Sequence, residues 1–389
     1  MSDAPVIQID PVAFHADPYP VLSRMQAETP VAFVPELGAT LFTRRDDIFE
    51  QEKRVDVFSS DQPDGLMTRL MGQNMMRKDG KAHQAERRDT FPAFSPRTVR
   101  DQWLRQFRLA AQDILERLAP TGAADLVADY ALLLSGEALR IITGLSSMSA
   151  LEMDRASQGM IDGIANYAND PDTEARCRAA TALIDDHITR MIPEKKANPD
   201  LSLLSVQLQA DMPEDSLRAN IKLAISGGQN EPRDAIAGTV WALLQNPDQL
   251  QQIRDGKATW QQAFEEYARW MAPIGMSPRQ VRRADTVNGV TFDIGDRVFF
   301  MYGIANRDPA HFHNPDRFDM SNDARKALSF GAGPHFCAGA AASRALICEV
   351  ALPQLFEQLP GLECSGPVRF EGWAFRGPVS LPVGWDSSC

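Results

Sequence analysis

No apolar run in this 389-residue chain is long enough to cross a bilayer, and no basic region followed by an apolar segment opens it. Neither a membrane span nor a secretory leader is expected, and the chain reads as soluble and cytoplasmic. Basic charge is short as well. Forty Lys and Arg against 52 Asp and Glu leave a formal net charge of −12, which argues against general binding to nucleic acid or to an anionic membrane. Cysteine is scarce and scattered: Cys177, Cys337, Cys348, Cys364 and Cys389 are odd in number and form no CxxC. A disulfide framework or a zinc site is therefore not expected, and at least one thiol is a candidate for use as a thiolate. Internal repeats and low-complexity tracts are lacking. What remains is the composition of a folded protein, 44% hydrophobic and 24% charged, with chain enough for one large domain or two ordinary ones.

Strand-like pieces after a short helical pattern ("YPVLSRMQAETPVAFVPELGATLFT") predict a small sheet near the start. From about Arg97 to Leu250 apolar residues recur three and four apart, the period of helices packed on a core. The longest candidate runs from "PEDSLRANIKLA" to "VWALLQNP" and would span roughly 45 Å at the helical rise. Its middle, "SGGQNEPRD", is expected to kink it: two glycines weaken it, and Pro232 takes the helical donor from the Gly228 carbonyl. "TWQQAFEEYARWM" predicts a helix opened by a capping box of Thr259 and Gln262. Strands ("GVTFDIGDRVFF"), a Pro-rich coil, a further helix ("AGAAASRALICEVALPQLFEQL") and a terminal hairpin ("VRFEGWAFRGPVSLPVGW") complete the chain.

One loop stands out. "SFGAGPHFCAG" places Cys337 among three glycines, a proline and His335, just before an alanine-rich helix. A dinucleotide loop would need a third glycine where Phe336 stands, and a P-loop would need Gly-Lys-Ser/Thr. A thiol nucleophile would use His335 as base, although neighbours in sequence rarely present that geometry. A metal-ligating thiolate would gain from the N–H groups that follow it, and glycines admit a large flat ligand. A single thiolate suits heme better than zinc, because the porphyrin supplies the other four donors. A structural cysteine in a Gly-rich turn is the competing reading, and the loop alone leaves both open.

"FGAGPHFCAG" resembles the heme-binding signature of the cytochrome P450 superfamily, F-x-x-G-x-H/R-x-C-x-G, at every defined position. "EYAR" looks like that family's E-x-x-R pair, Glu266 and Arg269, and "ANRDPAHFHNPDRFD" is similar to its meander, where Arg317 would complete their network. "SPRQVRRADTVNGV" is similar to the strand that follows in that family, and the resemblance, with its spacing to Gly289, implies Arg279 as a propionate contact. "DGKAHQAERR" resembles the H-x-x-x-R segment and places His83 and Arg87 at the propionates too. Taken alone, the first pair would be an ordinary surface ion pair and the second a solvated helix face.

The resemblance implies one mainly α domain over residues 1–389, triangular in outline with a small β-rich region. It implies Cys337 as the iron ligand of heme b (iron protoporphyrin IX), with Phe330, Gly333, His335 and Gly339 around the cofactor. It implies dioxygen as co-substrate, and electrons from NAD(P)H through a separate ferredoxin or flavodoxin and its reductase, since the heme domain uses up the chain. The reaction implied is insertion of one oxygen atom into a substrate C–H bond.

The chain departs from the family where an acid is usually followed by threonine. Here Glu231 is followed by Pro232, so the proton relay is expected to rest on Glu231, with Gln229 or Asn230 holding water at the Pro232 kink. Some bacterial members resemble this chain in having Glu-Pro, which points to O-demethylation of small methoxy-aromatics. Met71, Met75, Met76, Ile225, Gly228, Ile274 and Trp373 are the candidate pocket residues, core packing being the other use of such side chains. A peroxide-driven or non-oxygenating heme-thiolate enzyme, and a non-catalytic heme sensor, are the competing functions.

Overall fold

The computed structural model describes residues 2–166 and 170–386, which leaves Cys389 outside the described residues. The protein is mainly α with small β sheets. The chain divides into two compact units of discontinuous sequence: Met1–Asp61, Gly238–Cys337 and Val368–Val379 form one; Gln62–Ala237, Ala338–Pro367 and Ser380–Cys389 form the other.

The first unit is built on a five-stranded sheet. Val31–Val34 and Ala39–Phe42 form a hairpin through Gly38, whose φ of 58° suits glycine. Ala39–Phe42 runs parallel to Arg297–Phe300, which pairs antiparallel with Ser277–Val281; Phe58–Ser59 closes the edge. Because successive side chains alternate faces, Phe42 and Phe300 pack with Phe58 and Phe292 on one side, whereas Leu41 and Phe299 meet Phe14, Leu22 and Met25 on the other. The four phenylalanines interlock, mostly edge to face, with centroids 5.5 to 5.8 Å apart. The predicted capping box is present at Thr259 and Gln262, opening the helix Trp260–Trp270. Phe370–Glu371 and Gly377–Pro378 make the expected terminal hairpin, but Pro382–Gly384 belongs to a sheet of the other unit.

The second unit is helical, with a three-stranded sheet of Ala123–Asp125, Pro382–Gly384 and Glu363–Cys364. Its core joins Met71, Leu139, Met153, Met160, Ile184, Ile188 and Ile225. Gly163 admits the close approach of two helices: a Cβ there would lie 2.5 Å from the Cys177 sulfur. Burial pushes the Cys177 thiol up, so this cysteine is packing rather than chemistry.

The longest predicted helix is two helices. Glu214–Ser226 ends at Gly227, and Asn230–Gln245 begins after Gln229. Gly228 turns close under its own chain, where a Cβ would meet the Ala224 carbonyl at 2.5 Å and Leu139 at 2.9 Å. Pro232 thus falls in the first turn of the second helix, where its missing N–H costs nothing, and the expected kink becomes a break.

Candidate active site

In the first unit, the Glu266–Arg269 pair is an internal clamp rather than a surface pair. Arg269 and Glu266 are 0% and 1% exposed, and two hydrogen bonds of 2.7 and 2.8 Å join them. Arg269 also donates to the carbonyls of Asn306, Pro315 and Arg317, each 2.8 to 2.9 Å away, and Glu266 accepts from the Asp319 N–H. Arg317 therefore completes the network through its backbone; its guanidinium belongs to an exposed residue. Burial pushes the Glu266 carboxyl up and Arg269 opposes it, so each charge depends on the other.

The clamp reaches the cysteine loop through Asn306. Its Oδ1 accepts from the Leu328 N–H at 2.6 Å and its Nδ2 donates to Ser329 Oγ at 3.2 Å. The loop then closes on itself: the Cys337 N–H donates to the Phe330 carbonyl at 2.9 Å, and the Phe330 ring sits 6.2 Å from that of Phe264. Gly331 and Gly333 take φ of 69° and 61°, conformations that side chains rarely adopt. Cys337 and His335 are half-buried. Arg279 is buried, and its Nη2 makes a forked pair with Glu52 at 2.8 and 2.9 Å; its Nη1 donates to Ser277 and Pro278.

In the second unit, His83 and Arg87 lie one turn apart on the helix Gly80–Phe94, His83 buried and Arg87 half-buried. Gly339 directly precedes the helix Ala340–Leu346. Asn220 ties this region together, accepting from the Met75 N–H at 2.7 Å and donating to Glu86 at 2.9 Å.

At the helix break, Gln229 donates to the Leu132 carbonyl at 3.1 Å and to Asp154 at 3.2 Å. Asn230 bonds with Ser157 and Gln158 at 3.3 Å. Both amides anchor the break to neighbouring helices. Arg233 bridges Asp154 and buried Asp234 at 3.3 and 2.8 Å. Glu231 is half-buried as a residue, but its Oε2 is fully enclosed and accepts no hydrogen bond among the described residues. Desolvation pushes this carboxyl up to about 7, with the Asp234 charge adding to it. Burial pushes the Asp234 carboxyl up as well, with Arg233 opposing it, so two of the three carboxylates near this one guanidinium are shifted toward holding a proton.

The pocket candidates divide. Met71, Met76 and Ile225 pack in the core of the second unit, and Met75 is buried beside Thr90. Ile274 and Trp373 belong to the first, Trp373 against Phe14 and Phe299. Sequence reasoning missed Glu52, Tyr302 and Asn306, and also Asp154 and Asp234. Asn306 stood within the quoted "ANRDP" and Asp234 within "EPRD"; nothing in the sequence marked Glu52.

Among the described residues no three His, Cys, Asp or Glu side chains gather to hold a bare metal ion. One half-buried thiol on a glycine-shaped loop fits a macrocycle that brings its own four donors. These features define a heme-thiolate protein. The cytochrome P450 family model matches residues 259–354. The mycinamicin IV hydroxylase/epoxidase of Micromonospora griseorubida is 32% identical over 327 residues, 80% of this chain and 79% of that protein. Cytochrome P450 107B1 of Saccharopolyspora erythraea is 29% identical over 324 residues, 80% of this chain and 77% of its own. The crystal structure of CalO2 superposes with a TM-score of 0.87 at 24% identity, covering 98% of this chain and all of that one. P450BioI, solved in complex with a hexadecenoic acid-ligated acyl carrier protein, gives 0.86 at 22%, covering 96% and 100%.

The chain belongs to the cytochrome P450 family. It is a monooxygenase that uses heme b and dioxygen, with electrons from NAD(P)H delivered by a separate ferredoxin or flavodoxin and its reductase. No described helix is long and apolar enough to cross a membrane.

Proposed function

We infer that this protein is a cytoplasmic monooxygenase that hydroxylates or O-demethylates a small organic substrate, with methoxy-aromatic ethers and acids as the substrate class. Glu231 carries protons without the usual neighbouring hydroxyl. The observation behind this reading is the Glu231 carboxyl itself, whose Oε2 is enclosed and accepts no hydrogen bond among the described residues, and which burial pushes up to about 7. A group poised at the working pH can both give and take a proton.

When bound, heme b supplies the reductive activation of dioxygen and the transfer of one oxygen atom to a substrate C–H bond. Cys337 would bind the iron as a thiolate. Arg279, His83, Arg87 and His335 would meet the propionates, and Phe330, Gly333 and Gly339 would line the cofactor. Gln229 and Asn230 tie the break before Pro232 to the helices that carry Leu132, Asp154, Ser157 and Gln158. Met71, Met75, Met76, Ile225 and Gly228, with Ile274 and Trp373, are the side chains proposed to meet substrate. Hydroxylation of a methyl ether yields a hemiacetal that releases formaldehyde and a phenol; two protons and two electrons convert the second oxygen atom to water. The methoxy-aromatic class rests on the Glu-Pro pair.

The test is titration of the ferric holoenzyme with methoxy-aromatic acids, phenols, fatty acids and terpenes while the Soret band is followed. Methoxy-aromatics are expected to give the low-to-high-spin shift, with formaldehyde formed in turnover. A shift from another class alone would overturn the substrate assignment. Pro232, in the place of the hydroxyl, favours one second reading: full turnover with hydrogen peroxide, unmatched by the reductase system, would replace dioxygen as co-substrate.

A further inference from the structure

Glu52 is a carboxylate in a place that ordinarily excludes one. It follows the short helix Arg45–Gln51 and is 1% exposed. Both oxygens accept from Arg279 Nη2, at 2.8 and 2.9 Å, and Oε1 also accepts the Tyr302 hydroxyl at 2.5 Å. Burial together with the Glu52 charge drives the Tyr302 phenol far above its ordinary value, so it stays a donor. The cluster abuts the cysteine loop at two points. A Cβ on Gly333 would lie 2.9 Å from the Glu52 carbonyl oxygen, and one on Gly331 would lie 3.5 Å from the Tyr302 hydroxyl. The guanidinium assigned to a cofactor propionate thus already has a buried counter-ion, fixed against the loop that bears Cys337.

We propose that Glu52 is a positioning residue that sets the charge at the heme edge: it orients Arg279 by the forked pair and cancels that cation before a propionate meets it. This rests on the reading of Arg279 as a propionate contact. Two consequences follow in a site where charges are weakly screened. A fixed anion favours the ferric over the ferrous cofactor, which carries one electron more, and so holds the reduction potential low. An arginine already paired also grips the propionate less tightly than a bare one.

The experiment is spectroelectrochemistry of the ferric holoenzyme, one electron per heme drawn from the electrode, with heme transfer to excess apomyoglobin measured in parallel. Glu52→Gln keeps the shape and removes the charge. The expected result is a potential more positive by on the order of tenfold in the ferric-to-ferrous ratio, about 59 mV for a one-electron couple, together with slower heme loss. Glu52→Gln leaves Arg279 buried without its counter-ion and so can fail to fold; Arg279→Gln and the double variant then decide. Arg279→Gln alone is expected to lower the potential and speed heme loss, and adding Glu52→Gln to bring the potential back up. Equal potentials and equal heme loss in Glu52→Gln and the parent, or in the double variant and Arg279→Gln, would overturn the proposal. If Arg279→Gln itself changes neither quantity, the propionate reading fails, and this proposal falls with it for that identifiable reason.

Discussion

Replacing Glu231 by Gln removes one titrating group and almost no volume. In the folded protein this carboxyl titrates at about 7 against an ordinary value of 4.5. At about 1.36 kcal/mol per pH unit, that gap is about 3 kcal/mol. The folded state binds more protons here than the unfolded chain does between those two values. Stability therefore falls as the pH rises from 4.5 to about 7 and levels off above it. The Gln variant lacks this slope. Its stability relative to the parent should rise across that window to a plateau of about 3 kcal/mol, with little difference at lower pH. Urea unfolding of the two holoenzymes at several pH values reads this directly. Product formation should fall in the variant while NAD(P)H oxidation continues, because electrons arrive without their protons. Parallel stability curves from pH 4 to 8, or unchanged coupling of NAD(P)H to product, would refute the burial argument and the relay built on it.

Breaking the internal clamp should cost more than a surface pair does. Arg269→Ala leaves the Glu266 charge buried alone, and a loss of about 3–5 kcal/mol is expected in thermal or urea unfolding, with low heme content on purification. Asn306→Ala strips the Leu328 N–H and Ser329 of their partners; a loss of about 1–3 kcal/mol and faster heme release are expected, without loss of secondary structure by circular dichroism. Gly333→Ala forces φ of 61° on a side chain 2.9 Å from the Glu52 carbonyl, and heme incorporation should drop although the variant folds.

Much of the fold was legible because its signals are local. Helical period, the capping box at Thr259 and Gln262, and the terminal hairpin each depend on residues within a few positions of one another. The break at Gly227–Gln229 was legible as a disruption but not as a break, since a proline reads alike mid-helix and in a first turn. The cysteine loop carried its own signature. What supports it did not: Asn306 reaches the loop from 22 residues upstream, and Glu52 meets Arg279 across 227 residues. Such partners are chosen by packing, which no spacing in the sequence records. Gln229 and Asn230, expected to hold water, turn their amides to Asp154, Ser157 and Gln158, helix neighbours invisible to periodicity.

The most direct test of the account is the spectrum of the reduced, carbon monoxide-bound protein, taken beside Cys337→Ser. Ligation of the iron by Cys337 predicts the red-shifted Soret band of a thiolate in the parent and its loss in the variant. A parent spectrum without that band, or one that Cys337→Ser leaves unchanged, would contradict it.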